Sequence, residues 1–197
     1  MMEYLEGIDR SIVLAVNSWH SPFWDEAMWI ISGKLTWIPL YVLMLFLAFH
    51  HHGWKHAVAF LVVGVLSVAI ADQMSSHLLK ELIMRYRPSH HALLTDKLHF
   101  YQFEDGSFYK GGMYGFVSSH AANFFAICTF AGLHLRKKYP RILLVFLIIA
   151  SLVAYSRIYL GVHYLSDLVC GAALGTLIGW GMYRFVFLTI VKRIPEE

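Results

Sequence analysis

Residues 57–80 read AVAFLVVGVLSVAIADQMSSHLLK, and this stretch decides the class of fold. From Ala57 to Ala71 no ionisable side chain appears, and the apolar character continues to about Leu79. A helix needs about 20 such residues to cross a bilayer core. Further runs of this kind lie on both sides: Thr36 to Phe49 with a helical run-up from Trp24, Ala121 to Leu135, Ile142 to Ala154, and Leu165 to about Ile190. The 197-residue chain is 58% apolar and 15% charged, against roughly 25% charged in soluble domains. That balance argues against a cytosolic protein and excludes disorder. Two cysteines cannot support a disulfide framework; Cys128 and Cys170 fall within spans and read as buried small hydrophobes. A net charge of +3 with dispersed cations offers no basic face, so no nucleic-acid partner is expected. The expected fold is all-α: one integral-membrane domain over 1–197, a polytopic bundle of about five spans whose partner is the bilayer.

The N-terminal segment differs. Leu5, Ile8, Ile12, Val16 and Trp19 recur every three or four residues with Glu6, Asp9, Arg10 and Asn17 between them, the pattern of an amphipathic helix. Residues 1–22 are therefore expected to lie in the membrane interface. The alternative is a sixth span from near Tyr4, opposed by the cost of Glu6, Asp9 and Arg10 in hydrocarbon. Met1 to Arg10 lacks a basic region followed by an apolar core, so no cleavable signal peptide is expected. Arg136, Lys137, Lys138 and Arg141 crowd the link after the third span, Lys55 precedes the second, and Lys192 and Arg193 follow the last. With five spans these fall on one face, which the positive-inside rule makes cytoplasmic.

Cations on the other face are spaced differently. Lys80 and Arg87, followed by Pro88, stand where the second span ends; Ser118, Ser119 and His120 stand where the third begins. Ser156 and Arg157 end the fourth, and His163 with Asp167 opens the fifth. His163 and Asp167, one helical turn apart, share a face. The carboxylate can hold one imidazole nitrogen and leave the other's lone pair free, the logic of an oriented nucleophile or base. A purely local hydrogen bond is the alternative. Lys80, Arg87 and Arg157 could surround a group with several negative charges, since arginine matches phosphate oxygens with paired donors and lysine supplies a point charge. Lys80 could instead snorkel from a helix end, and Arg85 could meet lipid head groups.

Lys80-Glu-Leu-Ile-Met-Arg-Tyr-Arg87-Pro88 and Ser156-Arg157-Ile-Tyr-Leu-Gly-Val-His163-Tyr-Leu-Ser-Asp167 resemble the first and third motifs of the type 2 phosphatidic acid phosphatase superfamily, membrane lipid phosphatases related to bacterial acid phosphatases and vanadium haloperoxidases. Val117-Ser118-Ser119-His120 stands where the second motif usually reads Pro-Ser-Gly-His; Ser118 and His120 match, while Val117 and Ser119 depart. The resemblance covers a motif core of about 72–171. It implies that His163 attacks phosphorus to form a phosphohistidine, that Asp167 fixes its tautomer, and that His120 protonates the leaving oxygen and later deprotonates water. It also implies that Lys80, Arg87, Arg157, Ser118 and the Ser119 amide hold the phosphoryl oxygens, with no metal or other cofactor.

Three residues are candidates for support: Asp72, two helical steps of four from Lys80 through Ser76; His77, one turn from Lys80; and Ser156. His50, His51, His52 and His56 would face the cytoplasm, where metal binding is the alternative to a solvated face. The segment 84–118, rich in aromatics and charges, is expected to form an outer-face loop acting as a cap or a lid that selects the head group. The expected protein is a bacterial inner-membrane phosphatase with a periplasmic site. It would act on a phospholipid or glycolipid phosphate, namely lipid A, undecaprenyl diphosphate or phosphatidylglycerol phosphate, without an obligate protein partner. A lipid phosphotransferase using the same site and an anion transporter are the alternatives.

Overall fold

Apolar chains must satisfy their backbone internally, and a helix does so within one segment. The computed structural model describes residues 2–194 and, among them, is all-helical apart from isolated bridges between Tyr86 and Tyr114 and between Gln102 and Phe108. Met1 and residues 195–197 of the expected domain lie outside the described residues. The helices are α1 (Met2–Asn17), α2 (Pro22–Ser32), α3 (Ile38–Gln73), α4 (Lys80–Ile83), α5 (Ser119–Leu135), α6 (Ile142–Tyr159), α7 (Leu165–Gly181) and α8 (Leu188–Val191). π-helical turns, Met74–Leu79 and Met182–Phe187, join α3 to α4 and α7 to α8.

α3 has 36 residues and would be about 54 Å long if straight, well beyond a hydrocarbon core. It breaks at Gly53 (φ 76°, ψ 175°), a left-handed conformation that a Cβ would penalise. The two arms fold back on each other: Met44 and Ala48 of the first share a core with Ala59, Phe60 and Val63 of the second, and with Phe130 of α5 and Phe146 of α6. The bundle thus has five rods: two arms of α3, α5, α6, and α7 with α8. Among the described residues three helices are long and apolar enough to cross a membrane, Leu35–Ile83, Ile142–Tyr159 and Leu165–Val191, the first containing both arms. Val42, Phe46, Leu61, Val65, Leu144, Ile148, Leu177 and Phe185 are exposed along the rods, an apolar surface suited to lipid.

α5 is the buried centre. α7 approaches it so closely that a Cβ on Gly171, Gly175 or Gly179 would stand 2.6, 2.1 or 2.3 Å from the carbonyl oxygens of Ser118, Ala122 and Ala126. This four-residue repeat of small residues sets the two backbones side by side. It also brings their N-termini together, where the Ser118 amide donates to the Asp167 carbonyl at 3.0 Å.

The expected helical run-up from Trp24 into the first span is interrupted. α2 stops at Ser32, where the Gly33 amide and the Thr36 hydroxyl both donate to the Ile30 carbonyl (2.9 and 2.6 Å). α1 and α2 instead lie across one end of the bundle. Asp9 meets Ser166 at the start of α7, and Asn17, about 12 Å farther along α1 at 1.5 Å per residue, meets the Tyr159 carbonyl at the end of α6. The segment between α4 and α5 caps the same end, its Leu94, Leu98 and Phe100 buried with Val13, Ile158, Tyr164 and Leu168. At the opposite end, His51, His52, His56 and His134 line a cavity with Lys137 and Lys138. Cys128 is buried as expected, but Cys170 is exposed, because the approach of α7 to α5 uses its glycine face and Cys170 lies off it.

Candidate active site

Four helix ends converge beneath α1, α2 and the capping segment. The N-terminus of α5 supplies Ser118, Ser119 and His120; that of α7 supplies Asp167, with His163 just before it. The start of α4, where the π-helical turn ends, supplies Lys80, with Arg87 beyond α4, and the last turn of α6 supplies Arg157. Helix N-termini carry unpaired amides and a partial positive charge, so α5 and α7 both favour an anion here.

His163 is wholly buried. Its Nδ1 faces Asp167 Oδ2 at 3.3 Å, and its Nε2, also buried, has no hydrogen-bond partner. Burial first, then Arg87, Arg157 and Lys80, holds its pKa well below the usual 6.5. An imidazole that is neutral, held on one side and unpartnered on the other presents a free lone pair. Gly115 makes room for the pair, since a Cβ there would lie 3.0 Å from Asp167 Oδ2.

Asp167 is fully buried and fully engaged. Oδ2 also accepts from the Tyr164 amide (3.0 Å), and Oδ1 accepts from Arg85 Nη1 (2.9 Å). Arg85 in turn gives Nη2 to Asp9 Oδ2 (2.8 Å) and Nη1 to the Ser166 hydroxyl (2.6 Å), with its guanidinium 4.2 Å from the Tyr164 ring. Asp9 accepts from the Ser166 amide (3.0 Å) and hydroxyl. An ionic chain therefore runs Asp9–Arg85–Asp167–His163. Arg85 is not simply a head-group contact, and neither it nor Asp9 was a candidate from sequence; the ion pair joins residues too distant in the chain for a spacing rule.

The cations are held as rigidly. Arg87, 8% exposed, donates from Nε to the Tyr114 carbonyl (3.0 Å); burial and then Arg157 lower its pKa to about 10, so it keeps its charge at neutral pH. Arg157 gives Nη2 to the Tyr109 hydroxyl (2.7 Å) and Nη1 to the Ser32 hydroxyl, while its buried Nε has no partner. Lys80 Nζ donates to Ser119 Oγ at 3.2 Å and retains donors for another acceptor. His120 lies within electrostatic reach of Arg157, His163 and Arg87, and of Lys34, which the motifs do not include.

Ser118 caps α5, its oxygen accepting from the Ala121 amide (3.4 Å). The three expected supports fare differently. Asp72 accepts from Asn123 of α5 (2.8 Å) and lies within reach of Lys80. The Ser156 hydroxyl donates to the Val153 carbonyl of its own helix (2.7 Å) and is not part of the site. His77 is exposed, not pocket-lining; the regular helical spacing that placed it beside Lys80 is replaced by a π-helical turn.

Comparison with known proteins shows the family. A family model described as the PAP2 superfamily matches residues 57–190. The chain is similar to a lipid A 4'-phosphatase of Bacteroides thetaiotaomicron, 36% identical over 100% of this chain and 84% of that one. It is also similar to a lipid A 4'-phosphatase of Porphyromonas gingivalis, 34% identical over 93% and 75%. Among solved structures, a transmembrane PAP2 type phosphatidylglycerolphosphate phosphatase from Bacillus subtilis superposes with a TM-score of 0.66 at 23% identity, over 98% of this chain and 89% of that one. Aquifex aeolicus LpxE superposes with a TM-score of 0.63 at 22% identity, over 90% and 96%. The last two bear on the fold alone.

Proposed function

Because the chain belongs to the PAP2 superfamily, and is thus a phosphoric ester hydrolase, we propose that it removes a phosphate from a membrane lipid by way of a phosphohistidine, and that lipid A is its substrate. The reading rests on one observation above the others: buried His163 has an unpartnered Nε2 and lies within electrostatic reach of Arg87, Arg157 and Lys80.

The phosphate seats at the N-termini of α5 and α7, its oxygens taken by Lys80 Nζ, Arg87, Arg157 Nε and the Ser119 amide. Nε2 attacks phosphorus in line, the bond to the lipid oxygen breaks, and His120 gives that oxygen its proton. Water then attacks the phosphohistidine; His120 takes a proton from the water, and His163 leaves with its lone pair restored. The fixed cations stabilise the equatorial oxygens of both transition states. Arg85, itself held by Asp9, opposes the burial that would otherwise favour the neutral acid at Asp167 and keeps the carboxylate aimed, which holds the proton on Nδ1 and the lone pair on Nε2.

Degree of similarity supports lipid A among lipid phosphates: the two lipid A 4'-phosphatases are 36% and 34% identical to this chain, whereas a phosphatidylglycerophosphatase B of Bacillus subtilis, matched over 81% of its length, is 26% identical. The cluster of Arg136, Lys137, Lys138 and Arg141 at the far end supports a site facing the periplasm. The test is phosphate release by purified full-length protein from lipid A, undecaprenyl diphosphate and phosphatidylglycerol phosphate, beside His163→Ala. Release from lipid A that disappears in the variant is expected. Equal release by the variant would remove the nucleophile, and preference for another lipid would remove the substrate.

A further inference from the structure

At the capped end of the bundle, and not used by the phosphate seat, His20, Asp25 and His99 bring one donor atom each to within 4.8 Å of one another. His20 lies in the turn between α1 and α2, Asp25 in the first turn of α2, and His99 in the capping segment. Nothing in the phosphatase chemistry calls for them. We propose that these three residues bind a divalent transition-metal ion, zinc by donor type, which fastens the capping segment to α2.

Two imidazoles and a carboxylate form a known zinc ligand set, with metal–ligand distances of about 2.0–2.2 Å. Donors around such an ion stand about 3.3 Å apart when tetrahedral. His99 Nε2 and Asp25 Oδ2 are already 2.8 Å apart. The His20 ring lies stacked on His99, with centroids 3.9 Å apart and planes 10° from parallel. Parallel rings cannot both point at one ion, so binding requires His20 to turn about its side-chain torsions. It is exposed and free to do so.

The surroundings are those of a built site. The second oxygen of Asp25 accepts from the Tyr159 hydroxyl at 2.7 Å, which orients the carboxylate and leaves Oδ2 for the ion. Tyr159 is itself buried and accepts from the Ser21 amide at 3.3 Å, next to His20. His99 is fixed through its backbone: buried Asn17 accepts from its amide (2.7 Å) and donates to its carbonyl (2.8 Å), and also to the Tyr159 carbonyl (2.8 Å). The elements that an ion would join are those that fix Arg157, since Ser32 belongs to α2 and Tyr109 to the capping segment. Metal occupancy thus sets how firmly the cap is held over the phosphate seat while contributing no group to the reaction. The proposal stands independently of the phosphatase reading.

The test uses tag-free full-length protein in detergent, stripped with a chelator and titrated with zinc by calorimetry, then with cobalt(II) by visible absorption. One zinc per chain is expected, with a tetrahedral or five-coordinate cobalt spectrum. Tm should rise by about 5 °C at a hundredfold excess over Kd. Asp25→Asn, which keeps the contact with Tyr159 and so the fold, and the double variant His20→Ala with His99→Ala should each weaken binding at least tenfold. His51→Ala with His52→Ala, at the far end, should bind as the wild type does. No zinc-dependent shift in Tm, undiminished binding in the double variant, or loss of binding only in the far-end variant would each overturn the proposal.

Discussion

Burial and three cations act on His163 in the same direction, so its imidazole stays neutral where a free histidine would be half protonated. The sign of the stability effect follows. In the unfolded chain the ring takes a proton near pH 6.5, while the folded protein refuses it until much lower pH. The contribution is complete above 6.5 and is lost as pH falls below it, at about 1.4 kcal/mol per pH unit. Thermal melts of the free protein between pH 7.5 and 5 should therefore show a steeper loss of Tm for wild type than for His163→Gln. Parallel curves would mean that the buried ring takes up a proton as readily as an exposed one.

Asp9 and Arg85 make a second prediction at this scale. Neither is among the groups assigned to the phosphate, yet Arg85 pairs with both buried carboxylates, Asp9 and Asp167. Asp9→Asn should lower kcat about tenfold and leave KM nearly unchanged, because a small misplacement of the nucleophile affects the transition state more than binding. Arg85→Ala should go further and cost about 3–5 kcal/mol of stability, the penalty of leaving a buried charge without its partner. Arg85→Lys should recover part of both losses. A change confined to KM would instead place these residues on substrate binding. The motif residues were legible in the sequence because a phosphate needs cations and oriented histidines at helix ends, which fixes their spacing. Asp9 was legible only as one charge of an amphipathic helix, since nothing local to Leu5–Trp19 tells which carboxylate turns inward.

At the scale of elements, the contact between α5 and α7 decides whether the two N-termini meet. Gly175→Val would place a Cβ 2.1 Å from the Ala122 carbonyl oxygen, against helix backbone that cannot yield without separating the rods. The variant should lose both its cooperative melt and its activity. Gly181→Ala, in the same helix where a Cβ meets nothing within 4 Å, should be neutral or stabilising by up to about 1 kcal/mol. Similar losses in both variants would show that general helix propensity, not close approach, matters here. The apolar runs made the rods legible, while the joints between them were harder to read. The break at Gly53, the stop after Ser32 and the π-helical turn at Met74–Leu79 depend on single hydrogen bonds and dihedral choices. Hydropathy averages over all of these, so it locates neither the stop after Ser32 nor the outward turn of His77.

For the whole molecule, the distribution of charge predicts a direction in the membrane. The phosphate seat gathers Lys80, Arg85, Arg87 and Arg157 at one end, but each is bound into the site or the ion chain. At the other end Arg136, Lys137 and Lys138 are exposed in the turn after α5. Lys34, Lys97 and Lys110 are exposed at the site end but scattered, and cations clustered in a short link between spans weigh most toward orientation, so that turn should face the cytoplasm and the site the outside. The check is cysteine accessibility in intact cells, in a background with exposed Cys170 replaced by serine and buried Cys128 left in place. His90, exposed on the capping segment, and Lys138, exposed on the far turn, are the two positions to convert, one at a time. An impermeant maleimide should label the protein carrying His90→Cys in whole cells and the one carrying Lys138→Cys only after lysis. Labelling of both in whole cells would place the two segments on one side of the membrane, contradicting a bundle whose α5 runs from Ser119 at the site to Leu135 beside that turn. The reverse pattern would keep the bundle and turn it over, carrying the phosphate seat to the cytoplasmic leaflet and requiring a substrate found there.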